Sequence, residues 1–306
     1  MIIEQIGNRG YLFTFEPEDS ALKSTTSVYL INTENKLFLC DTHISPASMV
    51  WINQFIDANN LGDKELIVFN THADWDHVWG NGNFRANKII AHNSCKLRMQ
   101  EESDFLLEKY KNTYNDGMIT ITLPNTTFEH NLIYEEEGIE FIHTPGHTCD
   151  SAICIDHKES IIFAGDLLEE PHPLFNHYDL EQYVRTLEFL ESLDKEIVLT
   201  AHSGIAKNNL LQANLNYIKH VIKNKYELRD DPDYAFNIKN ALLLTYIELA
   251  KEYLGIDFNY NKFKSNLWLT LGIPQDDLEE ENDILTNIPY DQLEEALKNY
   301  IESIKC

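Results

Sequence analysis

The chain has 306 residues, 43% of them apolar, enough for one large domain or a domain with an extension and too apolar for a disordered chain. Lys and Arg number 24 against 50 Asp and Glu, and the net charge of -26 argues against nucleic acid or an anionic membrane as partner. Cys40, Cys95, Cys149, Cys154 and Cys306 are odd in number and contain no C-x-x-C, so reduced thiols are expected. With no basic, apolar leader at the N-terminus and no apolar run approaching ~18 residues, the expectation is a soluble cytoplasmic protein.

Short strand-like runs dominate the first half: Tyr11 to Phe15, Ser27 to Ile31, Leu37 to Cys40, Leu66 to Phe69 and Lys88 to Ala91. Ile119 to Thr122, Ile139 to Ile142, Ser151 to Ile155 and Ile161 to Ala164 follow. Turn residues such as Asn32 to Lys36 and Asp156 to Glu159 separate them, which suits hairpins of an antiparallel or mixed sheet. Helices are expected at about 46 to 60 and about 94 to 112. From 179 the period becomes helical, with Leu180, Tyr183, Val184, Leu187, Leu190 and Leu193 on one stripe. A last strand, Ile197 to Leu199, precedes His202, and beyond 206 nearly everything reads helical. Pro289 suits a first helical turn, after which Leu293, Leu297 and Ile301 form an i, i+4, i+8 stripe. Ten acids face two lysines between 272 and 306, giving this tail an acidic exposed face.

Ligand-type side chains gather at strand ends. After Leu66 to Phe69 comes Asn70-Thr71-His72-Ala73-Asp74-Trp75-Asp76-His77, with imidazoles and carboxylates of the kind that hold Zn, Fe or Mn. His147 lies in Thr144-Pro145-Gly146-His147-Thr148, Asp166 follows Gly165, and His202 follows the last strand. Asp41 follows Leu37 to Cys40, with His43 close behind. Singly, each reads as an ordinary turn residue.

Together, the order His-x-Asp-x-Asp-His, then His, Asp and His, resembles the metallo-β-lactamase-fold superfamily over roughly residues 8 to 210. The resemblance implies an α+β fold, a four-layer αββα sandwich of two mixed sheets with helices outside. Here that domain would span 1–228, with a helical C-terminal extension over 229–306. It implies two divalent metal ions, Zn first with Fe or Mn as alternatives. His72, Asp74 and His147 would hold one ion, Asp76, His77 and His202 the other, and Asp166 would bridge them. Asp41 would orient a coordinated imidazole. The implied reaction is hydrolysis by a bridging hydroxide, with Asp76 orienting it or accepting its proton. The substrate is a small molecule, an ester, thioester, lactone or phosphodiester. His172, His177 and Tyr178, downstream of Asp166, are candidates for binding it.

The chain departs from the family at Asp74, where the signature usually has histidine. The charged, harder oxygen leaves the cluster one unit less positive, lessens the acidification of bound water and shifts preference toward Fe or Mn. The alternative reading is therefore a non-haem iron redox enzyme, resembling the diiron domain of flavodiiron proteins or persulfide dioxygenases. The acidic tail counts mildly against a hydroxyacylglutathione hydrolase, which holds glutathione with basic residues. The tail's apolar stripes leave room for a homodimer through the C-terminal helices. Cys149 reads as packing, and Trp75 and Trp79 as packing or a cleft wall. No role attaches to His92, His130, His143, His157 or His220.

Overall fold

Two face-to-face sheets carry the N-terminal two-thirds of the chain. The computed structural model describes all residues except 18–21, 23, 45, 85–87, 115–116, 208, 274–284 and 306. The first sheet runs in chain order: β1 (Ile2–Ile6), β2 (Gly10–Phe15), β3 (Thr26–Asn32), β4 (Lys36–Cys40), β5 (Glu65–Phe69), β6 (Lys88–His92) and β7 (Thr126–Phe128). Pairing is antiparallel as far as β4 and parallel from β4 to β7. The second sheet comprises β8 (Asn131–Tyr134), β9 (Ile139–His143), β10 (Ala152–Asp156), β11 (Ile161–Phe163), β12 (Ile197–Thr200) and β13 (Gly204–Ile205). Its order is β13-β12-β11-β10-β9-β8, and only β11 and β12 pair in parallel.

The central strands read as unbroken apolar runs because both of their faces are buried. Tyr29, Phe38, Cys40, Ile67 and Phe69 point toward the second sheet and meet Phe141, Cys154, Phe163 and Leu199. Phe69 stacks on Phe141 with ring centroids 4.2 Å apart. The alternate residues Val28, Leu30, Leu37, Leu39 and Val68 face outward onto Met49, Ile52 and Ile56 of helix α1 (Pro46–Ala58). Helix α2 (Trp75–Val78) is one turn, and α3 (Asn93–Tyr110) buries Cys95 and Met99 against Ile44, Val78, Trp79 and Ala91. Both layers confirm the expected α+β sandwich.

Ile119 to Thr122 is not a strand. Ile119 and Ile121 pack into the cluster around α3, and the Thr122 carbonyl accepts from Asn81 Nδ2 instead of a ladder partner. The sheet position is taken by Thr126–Phe128, which is too short and polar to stand out. The edge strands β1, β8 and β13 likewise differ from expectation.

The chain divides into two compact units, Met1–Pro173 with Thr186–Asn214, and Leu174–Arg185 with Leu215–Cys306. The division falls inside α4 (Leu180–Ser192) and α5 (Leu210–Leu228) rather than at 228/229, and the second unit also draws on a middle segment. The second unit is helical, with α6 (Ala235–Leu254), α7 (Tyr260–Thr270) and α8 (Tyr290–Ile304). Leu293, Leu297 and Ile301 are buried with Leu243, Ile247, Phe263 and Trp268, so this stripe serves the fold of its own unit. Among the described residues no helix is long and apolar enough to cross a membrane. Cys40, Cys95 and Cys154 are buried free thiols, and Cys149 is an exposed one.

Candidate metal centre

Five strand ends deliver their loops to one place. Asp41 follows β4, His72 to His77 follow β5, His147 follows β9, Asp166 follows β11 and His202 follows β12. Backbone hydrogen bonds tie these loops together. Asp41 N donates to Phe69 O (2.8 Å), Ala152 N to Thr71 O (2.8 Å), Ala201 N to Gly165 O (3.0 Å) and Ser27 N to Ala201 O (2.6 Å). Gly165 adopts φ +57°, and a Cβ there would lie 2.9 Å from Thr71 Oγ1, so glycine allows the β11 loop to approach Thr71 and brings Asp166 beside His72.

Asp166 Oδ2 is the centre of the arrangement. It lies 3.6 Å from His72 Nε2, 3.1 Å from His77 Nε2, 3.8 Å from His147 Nε2 and 3.2 Å from His202 Nε2. Asp74 Oδ2 sits 3.5 Å from both His72 Nε2 and His147 Nε2. Asp76 Oδ2 sits 3.6 Å from His77 Nε2 and 3.4 Å from His202 Nε2. His72, Asp74 and His147 thus form one potential ligand group, and Asp76, His77 and His202 another; Asp166 groups with His72 and His77. His72, His77 and His147 are almost fully buried, whereas Asp74, Asp76 and His202 keep 15–22% of their side chains exposed. The imidazoles form a floor, and solvent reaches the cluster over the two aspartates and His202.

The partners of the far ring nitrogens assign the tautomers. His77 Nδ1 is 2.9 Å from Asp41 Oδ2, and His202 Nδ1 is 2.9 Å from the carbonyl of Thr25; both partners only accept. Thr71 Oγ1 donates to Asp41 Oδ2 at 2.8 Å, so it accepts from His72 Nδ1 at 2.9 Å. Each of these three imidazoles therefore carries its proton on Nδ1 and turns the Nε2 lone pair toward Asp166. His72 Nε2 and His77 Nε2 are buried and make no hydrogen bond, since even the 3.1 Å approach of His77 to Asp166 lacks hydrogen-bond geometry. Buried lone pairs left without a donor, converging on carboxylate oxygens, fit divalent cations.

Without a cation, charge is balanced by protons. Burial opposes ionisation of Asp166, yet His202 and His77 hold its carboxyl well below the usual carboxylate range. Burial likewise works against protonation of His147, and hydrogen bonding to Asp74 with the charges of Asp166 and Glu169 outweighs it, raising it to about 9. His77 and His202 are driven well above the ordinary value against burial, chiefly by Asp166. His43 behaves oppositely: burial pushes it down to about 3, and it stacks on Phe15 and pairs with Ser48 Oγ at 2.7 Å.

Three residues of this neighbourhood carry no strand-end signal. Arg98, from α3, donates Nη2 to Asp74 Oδ1 and Nη1 to Asp150 Oδ1, both at 2.6 Å. Asp150 Oδ2 accepts from Ala73 N at 2.8 Å. Glu169 Oε1 lies 3.7 Å from His147 Nδ1, and His147, Asp166 and Glu169 form a further potential ligand group. Only the spacing of Asp150 and Glu169, each three residues beyond a ligand-type residue, hints at either, and nothing in the sequence singles out Arg98. His172 lies in the first unit and joins no ligand group, while His177 and Tyr178 belong to the second unit, where their rings touch. Trp75 and Trp79 pack with α3, Trp75 stacking on Tyr110. The Cys149 carbonyl pairs with His143 Nε2, and His143 stacks on His92.

Comparison with known proteins gives a consistent picture. The sequence model described as "Metallo-beta-lactamase superfamily" matches residues 23–202, more than half of the chain. The chain is 25% identical over 206 residues to "Beta-lactamase-like protein 2 homolog" of Caenorhabditis elegans, covering 66% of this chain and 64% of that protein. It is 26% identical over 198 residues to "Lactamase-like protein aptB" of Emericella nidulans, covering 64% of this chain and 56% of that protein. The chain thus spans 56–64% of the length of the curated relatives it matches. Among solved structures, the metallo-beta-lactamase from Pontibacter korlensis superposes with a TM-score of 0.57 at 15% identity, covering 71% of this chain and 98% of that one. That likeness is one of fold.

Proposed function

The chain belongs to the metallo-beta-lactamase superfamily, and from that premise we propose a hydrolase with two divalent ions acting on a small-molecule ester, thioester or lactone. His72, Asp74 and His147 would hold one ion, Asp76, His77 and His202 the other, with Asp166 shared. The observation that carries this reading is Asp166 Oδ2 standing within 3.1–3.8 Å of four Nε2 atoms, three of them on imidazoles whose Nδ1 atoms already have acceptors. When bound, such ions supply Lewis acidity to the substrate oxygen and lower the pKa of water.

The chain's own residues have separate tasks. Asp41, Thr71 and the Thr25 carbonyl keep the imidazoles in one tautomer, so no ring must turn when an ion enters. Asp76, partly exposed, would orient the attacking water and take its proton. The substrate reaches the cluster over Asp74, Asp76 and His202, the members open to solvent. Among the described residues, Arg98 adjoins the ligand cluster and is already shared by Asp74, Asp150 and Glu102. It has little charge to offer a substrate phosphate, which favours carbonyl substrates over phosphodiesters.

The carboxylate at position 74 supports a second reading, an iron enzyme of redox type, because oxygen-rich donor sets suit Fe and Mn. Anomalous scattering across the Zn, Fe and Mn edges, with an ester, thioester, lactone and phosphodiester panel run on loaded and chelator-stripped protein, tests both. Two ions beside Asp166 and metal-dependent acyl hydrolysis are expected. No metal within reach of His72, His147 and His202 would sink both readings. Bound iron with oxygen or nitric oxide consumption and no hydrolysis would select the second.

A further inference from the structure

Asp74 stands where the family pattern has an imidazole, and the two ligands differ in ways that matter. An imidazole offers one neutral nitrogen, whereas a free carboxylate offers two oxygens and a full negative charge. The fold removes much of that difference. Asp74 Oδ1 accepts from Arg98 Nη2 at 2.6 Å, and Oδ2 faces His72 and His147, at 3.5 Å from each. The guanidinium is itself held from the far side, since Nη1 donates to Asp150 Oδ1, and Asp150 also anchors Ala73 N, the residue before Asp74. Arg98 and Asp150 therefore grip the Asp74 segment twice, once by its side chain and once by its backbone. Asp150 is fully buried, and Arg98 keeps 21% of its side chain exposed, so neither partner is a loosely held surface charge. Glu102, one helical turn on, completes the cradle at 3.2 Å from Nη2.

We propose that Arg98 is a positioning residue that makes Asp74 a one-oxygen ligand, so that the Asp74–Arg98 pair takes the place of a histidine at the first ion. This rests on the reading of His72, Asp74 and His147 as ligands of that ion. The pair is coupled: an arginine there suits a carboxylate and is unfavourable beside an imidazole, which gives the guanidinium no acceptor while it coordinates. Lysine is a poor substitute, because one ammonium cannot reach Asp74 and Asp150 with the parallel donors of a planar fork.

The test is Zn2+ titration of the full chain against a chromophoric chelator, with metal counted by elemental analysis and folding followed by calorimetry. Arg98→Leu is expected to weaken the first ion about 10- to 100-fold, the scale of lost outer hydrogen bonds, and leave the second within a few-fold. Arg98→Lys recovers only part of the loss. In the Asp74→His background the sign reverses, and adding Arg98→Leu strengthens the first ion. A loss of equal size in both backgrounds, or equal loss at both ions, overturns the proposal in favour of a merely structural arginine. Should Arg98→Leu not fold, Arg98→Lys carries the test, and an unchanged first ion overturns it. Wild-type chain that takes up no Zn2+ overturns the metal reading and this proposal with it. Two bound ions with both Arg98 variants unchanged overturn this proposal alone.

Discussion

The two halves of the ligand cluster are built differently. The half made of Asp76, His77 and His202 is steered by acceptors behind the rings, Asp41 behind His77 and the Thr25 carbonyl behind His202. The half made of His72, Asp74 and His147 has the Thr71 hydroxyl behind one ring and Glu169, more distant, behind the other, and its carboxylate is clamped by Arg98. Nitrogen ligands are aimed by what accepts their far proton, and a carboxylate ligand is aimed by what occupies its far oxygen. Loops from both sheets meet in one cluster, with Asp166 Oδ2 between the two halves.

The largest effect is expected where the halves meet. Asp166→Ala removes the oxygen common to both, so both ions should be lost and hydrolysis should fall by about 10³-fold or more, the weight of several kcal/mol of Lewis-acid stabilisation. Metal retained at full stoichiometry would show that the halves do not share it. Asp41→Ala acts on His77 directly and on His72 only through Thr71. It should weaken the second ion about 10- to 100-fold and the first by less. Separate affinities from a Zn2+ titration check this, and equal losses would erase the distinction between the halves.

Acidity gives a third contrast, between protein with and without metal. The pKa of metal-free His147 is raised from 6.5 to about 9. Its contribution to stability is therefore fully present below pH 6.5 and lost as pH rises toward 9. Metal needs the neutral imidazole, so affinity should climb through the same window. Calorimetry with and without chelator should show the metal-free Tm falling between pH 6.5 and 9 while the gap to the loaded protein widens. A gap independent of pH would remove His147 from the ligands. The smallest effect belongs to Glu169→Gln. Its 3.7 Å contact is too long for a hydrogen bond, and the first ion should weaken by no more than about threefold, as read by the same titration.

Most of the cluster is legible in the chain alone, for a local reason. His72 to His77 are adjacent in the chain, and His147, Asp166 and His202 each follow closely on an apolar run that reads as a strand. Local pattern misleads where a segment's partners lie far away. Ile119 to Thr122 has the composition of a strand, but Asn81 takes one of its carbonyls and the α3 cluster takes its side chains. Thr126 to Phe128 is too short to announce the strand it becomes.

Sequence by itself showed donor-type side chains at strand ends, because residue type and local periodicity are written in the chain, and their resemblance to a family pattern joined them into one candidate cluster. It left Asp74 as an anomaly, a carboxylate adding charge where histidine was expected. Only the tertiary structure decided what that carboxylate meets. Arg98 lies 24 positions away in sequence, and Asp150 a further 52, and neither carries a motif. Packing α3 beside the β5 loop brings Arg98 to Asp74, the β9–β10 loop brings Asp150 to Arg98 and Ala73, and a hydrogen bond across such separations is set by the fold and not by spacing along the chain.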